Sequence, residues 1–411
     1  MLAPRGVTVA VVGATMWLVA RIIGSSGLEV VAIGLLVLPF LAAAFIRWTE
    51  RRVSVKRSLS DGRVAPGTRV RVQLDVENRS SSPASFLLLE DRLPSALGRP
   101  ARLVVAGVQG RRAQRVSYTV LPQVRGRYQL GPLTVDVTDP FGLSRRRSRV
   151  GGRDELFVTP EIEDLAHAPD TASGPMVGSS RSRQLLRTGE DYFTMRAYQE
   201  GDDLRRIHWP SVARTGELMI RQNEATKRAT GLIFLDNREG AIGRTHTAPF
   251  ERAVSCAASV GALLLRNGFA LRLSTPDAPP AGMSEDRFMD LLTTMAHSTT
   301  RSVSTAVTHL RTGASSDTSL IFVGAPPAPQ ELPVMLRAGS AFGPKLAIVI
   351  HPVDPATASP AQGAQLEGRA TQARLAFTRA GWDCLVLTPT TRLNERWHIQ
   401  RERERALAPS V

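Results

Sequence analysis

The hydrophobic rhythm of the chain takes three forms in succession, and each marks a different kind of structure. Val7 to Ile23 is an apolar stretch with one charge, Arg21, and Leu28 to Ile46 is a second with one charge, Glu29. A helix needs roughly 20 apolar residues to cross a hydrocarbon core of about 30 Å, and shorter spans are accommodated by local thinning. Gly24-Ser25-Ser26-Gly27 joins the runs, and Arg21 and Glu29 flank that turn, where headgroups and water solvate them. Residues 1–50 are therefore expected to form a transmembrane helical hairpin. A cleaved signal peptide does not fit, because a second long span follows and the positive n-region holds only Arg5.

The rhythm then becomes two. Val70, Val72, Leu74 and Val76 alternate with Arg71, Gln73, Asp75 and Glu77, the signature of a half-buried strand. Phe86–Glu90, Arg102–Val105, Arg115–Leu121 and Leu133–Val137 read as further strands, separated by turn signals at Asn78–Pro83, Leu97–Pro100 and Val124–Gly126. Short strands at this spacing predict an antiparallel β-sandwich over 51–160, ending on Val137-Thr138-Asp139-Pro140-Phe141-Gly142-Leu143. With no His, no Cys and no clustered carboxylates, it reads as a spacer or docking module. From Gly231 the pattern alternates strand and helix. Gly231–Leu235, Leu271–Ser274, Leu320–Val323, Leu346–Ile350 and Cys384–Leu387 are buried-strand runs. Phe250–Phe269, Asp286–Ala296 and Gln365–Arg379 are helical. Residues 229–390 are thus expected to form a doubly wound α/β domain around a parallel sheet, with 391–411 a charged tail.

Composition alters this picture little. Apolar content of 43% and charged content of 22% belong to a globular chain. The formal net charge of +15 is carried by arginine, since Lys56, Lys227 and Lys345 are the only lysines. Scattered arginines with 5% aromatics argue against nucleic-acid binding and fit an arginine coding bias with some attraction to anionic lipid. Cys256 and Cys384 show neither disulfide nor metal spacing, and no cofactor is expected.

Residues 161–228 join the two soluble parts. They begin with a Ser-, Gly-, Pro- and Arg-rich linker and continue into the densest polar pattern of the chain. That pattern holds Arg196, Tyr198, Gly201, Asp202, Asp203, Arg205, Ile207, His208, Trp209 and Arg214. Asp202 or Asp203 is placed to cap a short helix with Leu204, Ile207 and His208 on one face. An acid–base or metal site on Asp202, Asp203 and His208 is one reading. Carboxylates among this many arginines stay ionised and make poor general acids, so a structural or partner-binding network is the preferred one.

In these residues the chain resembles the bacterial family called domain of unknown function 58. A hairpin leads to a sandwich closing on Asp-Pro-Phe-Gly-Leu and then a Tyr…Gly-Asp-Asp…Arg…Ile…Trp…Ala-Arg signature, with Ala197 where relatives more often carry glutamate. The resemblance implies a von Willebrand factor A-like C-terminal domain and cooperation with a MoxR-type AAA+ ATPase. A-domains that hold a cation use Asp-x-Ser-x-Ser after the first strand. Here the stretch is Asp236-Asn237-Arg238-Glu239-Gly240, so both serines are replaced and Asp236 is expected to pair with an arginine or cap a helix.

The leading expectation is a membrane-tethered, non-enzymatic adaptor for such a protein partner. An enzyme using Asp202, Asp203, His208 or Asp236, or a binder of anionic polymer or lipid, are the alternatives. Arg47, Arg51, Arg52, Lys56 and Arg57 follow the second span and favour a cytoplasmic location for the soluble part. A reporter active only in the cytoplasm, fused after Val411, should therefore give signal. Signal from a periplasmic reporter alone would reverse the orientation.

Overall fold

Apolar residues cluster in two separate units of chain, Met1–Thr159 and Pro160–Val411. The computed structural model describes residues 3–50, 53–79, 87–105, 108–139, 141–165, 193–199, 207–223, 229–304, 307, 310–311, 314–355 and 357–397.

In the first unit, helices α1 (Pro4–Ile23) and α2 (Ser26–Glu50) lie against each other. Both are apolar and long enough to cross a membrane. Gly24 ends α1 in the left-handed conformation that glycine tolerates best, and Arg21 reaches Glu29 across the turn at 3.6 Å. Gly13 lets the helices approach closely, because a Cβ there would press on the backbone of Leu36.

A β-rich region follows, in three sheets. The first pairs β1 (Val53–Leu59), β3 (Val70–Asn78) and β6 (Ala113–Val120), with β3 central. The second joins β2 (Arg63–Val64), β10 (Asp154–Val158) and β7 (Gly126–Leu130). The third has the order β5 (Ala101–Val105), β4 (Leu87–Asp91), β8 (Leu133–Thr138) and β9 (Arg145–Val150). Leu74 and Val76 of the first sheet share one core with Leu87, Leu89, Leu133, Val135 and Val137 of the third, and Ile46 of α2 enters it.

Three expectations change here. The pairing is antiparallel except between β2 and β10, which run parallel. The Asp139–Leu143 segment does not end the region. It is the turn of the β8–β9 hairpin, and β9 and β10 escaped notice because RRRSRV and DELFV lack a clean apolar alternation. Nor are clustered carboxylates missing. Arg57 of β1, one of the cations that follow the second apolar span, turns into the region with only 5% of its side chain exposed. Its guanidinium meets Asp91 at 2.7 and 3.0 Å and Asp154 at 2.7 Å, and the Tyr118 hydroxyl donates to Asp91 at 2.6 Å. One side chain thereby ties all three sheets. Burial alone would lower the Arg57 pKa, but the two carboxylates outweigh it and hold it above its ordinary value.

In the second unit, the ribbon of β11 (Phe193–Ala197) and β12 (Met219–Asn223) encloses the short helix α3 (Trp209–Thr215). A six-stranded sheet follows, in the order β15 (Ala278–Met283), β14 (Ala270–Thr275), β13 (Thr230–Leu235), β16 (Thr318–Gly324), β17 (Lys345–Ile350) and β18 (Asp383–Leu387). All neighbours are parallel except β15, an antiparallel edge that the sequence hides behind Pro279 and Pro280. Helices α4 (Glu239–Ile242), α5 (Ala248–Arg266), α6 (Glu285–Thr294), α7 (Leu332–Gly339) and α8 (Pro360–Arg379) connect the strands. Helix α5 is also long and apolar enough to span a bilayer, but Phe250, Ala253, Cys256, Ala257, Val260 and Leu264 bury it in the core. Residues flanking the expected 229–390 span join this core too: Leu165 on one side, Leu393 and Trp397 on the other. Glu163 pairs with Arg252 at 2.6 Å and accepts the Asn394 amide.

Removing one member of a buried ion pair costs about 3–5 kcal/mol, because its partner is left charged and unpaired. Arg57→Met should therefore lower the melting temperature of the full chain in detergent by many degrees. Arg115→Met, which removes the partner of Asp75 on an exposed face, should melt close to wild type. Equal melting of the two variants would remove Arg57 from its central place.

Candidate functional site

Ligands of open parallel sheets bind beyond the carboxyl ends of the strands. At that end of β13 the chain runs Asp236-Asn237-Arg238, and a cleft of about 720 Å³ opens beside it. Its lining includes Asp236, Arg238, Ser298, Thr299, Arg301, Pro326, Glu331 and Arg369.

Arg238 organises the floor. Its Nε donates to Asp236 Oδ1 and its Nη2 to Oδ2, both at 2.8 Å. Nη1 donates to Glu331 Oε1 at 2.6 Å and to the Arg301 carbonyl at 3.1 Å, and Nη2 also reaches Glu331 Oε2 at 3.2 Å. A guanidinium has five N–H donors, and all five are engaged. The expected pairing of Asp236 with an arginine is found, and the arginine is two residues away. The local backbone brings it there: Arg238 bridges Ser298 in parallel fashion, Ser298 donates its amide to the Asn237 carbonyl, and Glu239 donates to Ser298. Glu331 precedes α7 and accepts the Ala328 amide at 3.1 Å.

Two carboxylates around one guanidinium hold the Arg238 pKa above its ordinary value, overcoming the opposite effect of burial. Burial likewise pushes Glu331 upward, but the hydrogen bonds from Arg238 and Ala328 prevail and keep it below the usual 4.5. Nearby, Glu239 is lowered by Arg244, which donates to it at 2.6 Å. The floor is thus a closed ionic lattice, and the exposed cations at its rim are Arg301 and Arg369. Such a cleft can receive an acidic or hydroxyl-bearing group. Asp236 itself is unsuited to hold a cation while both its oxygens accept from a cation already in place.

The polar pattern lies elsewhere on this unit. Arg196 stands in β11 opposite Ile220, and Tyr198 donates its amide to Leu218 at 2.8 Å. Gly201, Asp202, Asp203 and Arg205 lie outside the described residues. Ile207 is not helical: it bridges Ile220, and the helix begins only at Trp209. Pro210 accounts for this, since proline is tolerated in the first turn of a helix and not further in. His208 stands at the N-cap position of that helix, its Nδ1 2.9 Å from Ser211 Oγ. Trp209 is 67% exposed and Arg214 is exposed in the last turn. Trp209 therefore does not act as a packed anchor. Of the candidates, Asp236 reaches the cleft and His208 does not. Sequence reasoning missed Glu331, Arg301 and Arg369. Glu331 was findable only as an acid preceding the Leu332 helix, a weak signal.

A family model described as "Protein of unknown function DUF58" matches residues 194–320. That stretch takes in the β11–β12 ribbon, Asp236, Arg238 and Ser298 to Arg301. The chain is also similar to the "Uncharacterized protein YeaD" of Bacillus subtilis (strain 168), 24% identical over 252 residues. The match covers 58% of this chain and 60% of that protein, so the chain spans less than two thirds of the curated relative it matches. Among solved structures, the CARDB domain of the PF1109 protein from Pyrococcus furiosus aligns over 26% of this chain and 91% of its own, at 10% identity and a TM-score of 0.21. A beta-glucosidase from Listeria innocua in complex with glucose aligns over 26% of this chain and 16% of its own, at 16% identity and a TM-score of 0.16. Likenesses this slight carry no functional argument.

The depressed Glu331 contributes stability that is present above pH 4.5, its ordinary value, and is lost as pH falls through its folded-state value. Glu331→Gln should thus be less stable than wild type at pH 7, and the gap in urea midpoint should close on acidification below about pH 4.5. A gap that stays constant down to about pH 3 would show that Glu331 is not bound to Arg238 as a charge.

Proposed function

We propose that this protein is a membrane-tethered, non-enzymatic adaptor. In this reading α1 and α2 hold it in the bilayer with the rest of the chain cytoplasmic. The second unit is a von Willebrand factor A-like domain presenting a face to a protein partner, a MoxR-type AAA+ ATPase. Asp236 supports the A-like assignment, because it stands at the end of β13 where such domains carry Asp-x-Ser-x-Ser.

The observation that carries the reading is the full engagement of Arg238. It leaves both oxygens of the carboxylate best placed for chemistry, Asp236, occupied by a cation already in place. Enzymatic use of the site would require the lattice to open. The exposed Trp209 supports a partner, since tryptophan and arginine are the residues most enriched where binding energy concentrates. Arg301 and Arg369 at the rim of the cleft favour an acidic segment of that partner. An anionic-polymer binder fits less well, because Arg115, Arg127, Arg145, Arg147 and Arg252 are each engaged by a carboxylate.

The test is capture from detergent-solubilised membranes with the tagged full chain, read by mass spectrometry. Wild type should retain an AAA+ ATPase of the MoxR type. Trp209→Ala should reduce its recovery by about tenfold or more, the effect of losing a hot spot of ~2 kcal/mol. Recovery of no such ATPase would end this partner assignment. Equal recovery by the variant would remove Trp209 from the contact.

A further inference from the structure

The turn between β8 and β9 is built to display an aromatic ring at the base of the helical hairpin. Asp139 is buried and scaffolds the turn from within: Oδ2 accepts the Phe141 amide at 3.1 Å, Oδ1 accepts the Ser144 amide at 2.7 Å, and its carbonyl accepts the Gly142 amide at 3.0 Å. Gly142 adopts φ +68°, which closes the turn. A turn held this firmly buries Leu143 yet leaves Phe141 70% exposed, so the ring contributes little to folding.

The turn is fastened to the helices at the level where their apolar runs end. The Ala3 amide donates to the Leu143 carbonyl at 2.9 Å, and Gly6 abuts the same carbonyl so closely that any Cβ would collide with it. From the other helix, Ile46 sinks into the core that holds Val137. Arg5, at the start of α1 and beside Gly142, and Arg47, at the end of the second apolar span, are both exposed. On the edge strand β9, Arg146 is exposed as well. Phe is among the side chains that enter the headgroup–acyl boundary of a bilayer, and arginines near an anionic surface are attracted to it.

We propose that this turn is a membrane-contact wedge, with Phe141 entering the headgroup layer of an anionic bilayer and Arg5, Arg47 and Arg146 supplying the complementary charge. The wedge rests on the reading of α1 and α2 as membrane spans and adds a second, peripheral contact that sets how the β-rich region stands on the surface.

The full chain in phosphatidylcholine–phosphatidylglycerol nanodiscs tests it. A nitrobenzoxadiazole label on Phe141→Cys reports depth through its emission and its quenching by brominated acyl chains. Ser95→Cys, exposed after β4 at the other end of the same sheet, is the control. Cys256 and Cys384 are buried, and burial pushes the Cys256 thiol far up, so labelling is directed to the introduced sites. The label at 141 should be blue-shifted and quenched, that at 95 neither, and the effect at 141 should weaken in phosphatidylcholine alone. Water-like, unquenched emission at 141 from protein that stays in the disc through an alkaline wash overturns the wedge and spares the spans. Release of the protein by that wash overturns both.

Discussion

The second unit is organised around the five N–H groups of Arg238. They join three segments that the chain leaves separate: the end of β13, the loop carrying Ser298 and Arg301, and the turn before α7. Each segment alone would expose backbone and carboxylates at the rim of the sheet. A divalent cation would gather oxygens at such a place by coordination. A guanidinium gathers them by directed hydrogen bonds, and its planar fork matches carboxylates two at a time. Arg238 thus supplies the binding power of a cation from within the chain.

The first unit uses the same device for another purpose. Arg57 sits where three sheets meet, facing Asp91, Asp154 and, through Asp91, Tyr118. A further donation, from Nη1 to the Leu130 carbonyl at 3.1 Å, satisfies backbone at the same junction. Hydrophobic contacts are indifferent to small slips between sheets, whereas a buried charge with fixed partners is not. Its net contribution to stability is modest once desolvation is counted, and its larger effect is to penalise misalignment. An arginine-rich composition that reads as generic basicity therefore conceals two structural centres.

Much of the architecture was legible. The two apolar runs, the alternation of Val70 to Val76 and the buried strands from Gly231 to Leu387 all depend on local periodicity, and local periodicity is what a sequence displays. What was hidden depends on contacts distant in the chain. Arg57 lies in a run of cations after a span, and nothing nearby distinguishes a side chain that turns inward. Ala278–Met283 pairs as an edge strand despite two prolines, because an edge has one side on which no donor is needed. Leu393 and Trp397 sit in a polar stretch yet close the core from outside. For the site, the pairing of Asp236 with an arginine was one of two expectations the sequence raised, the other being a helix cap. Glu331 was not foreseeable, since 93 residues separate it from Arg238.

A bound metal can leave, exchange or accept a ligand oxygen in an open coordination position. A side-chain guanidinium with five satisfied donors has no open position and cannot leave. A partner approaching this cleft would therefore meet the exposed charges of Arg301 and Arg369 over a floor in which Arg238 is already held by Asp236 and Glu331. Binding there would depend on salt, through the exposed rim, and would be indifferent to chelators. The same geometry disfavours catalysis, which needs groups whose protonation or ligation changes during turnover. A floor whose central donors are all committed is suited to holding a surface in one shape.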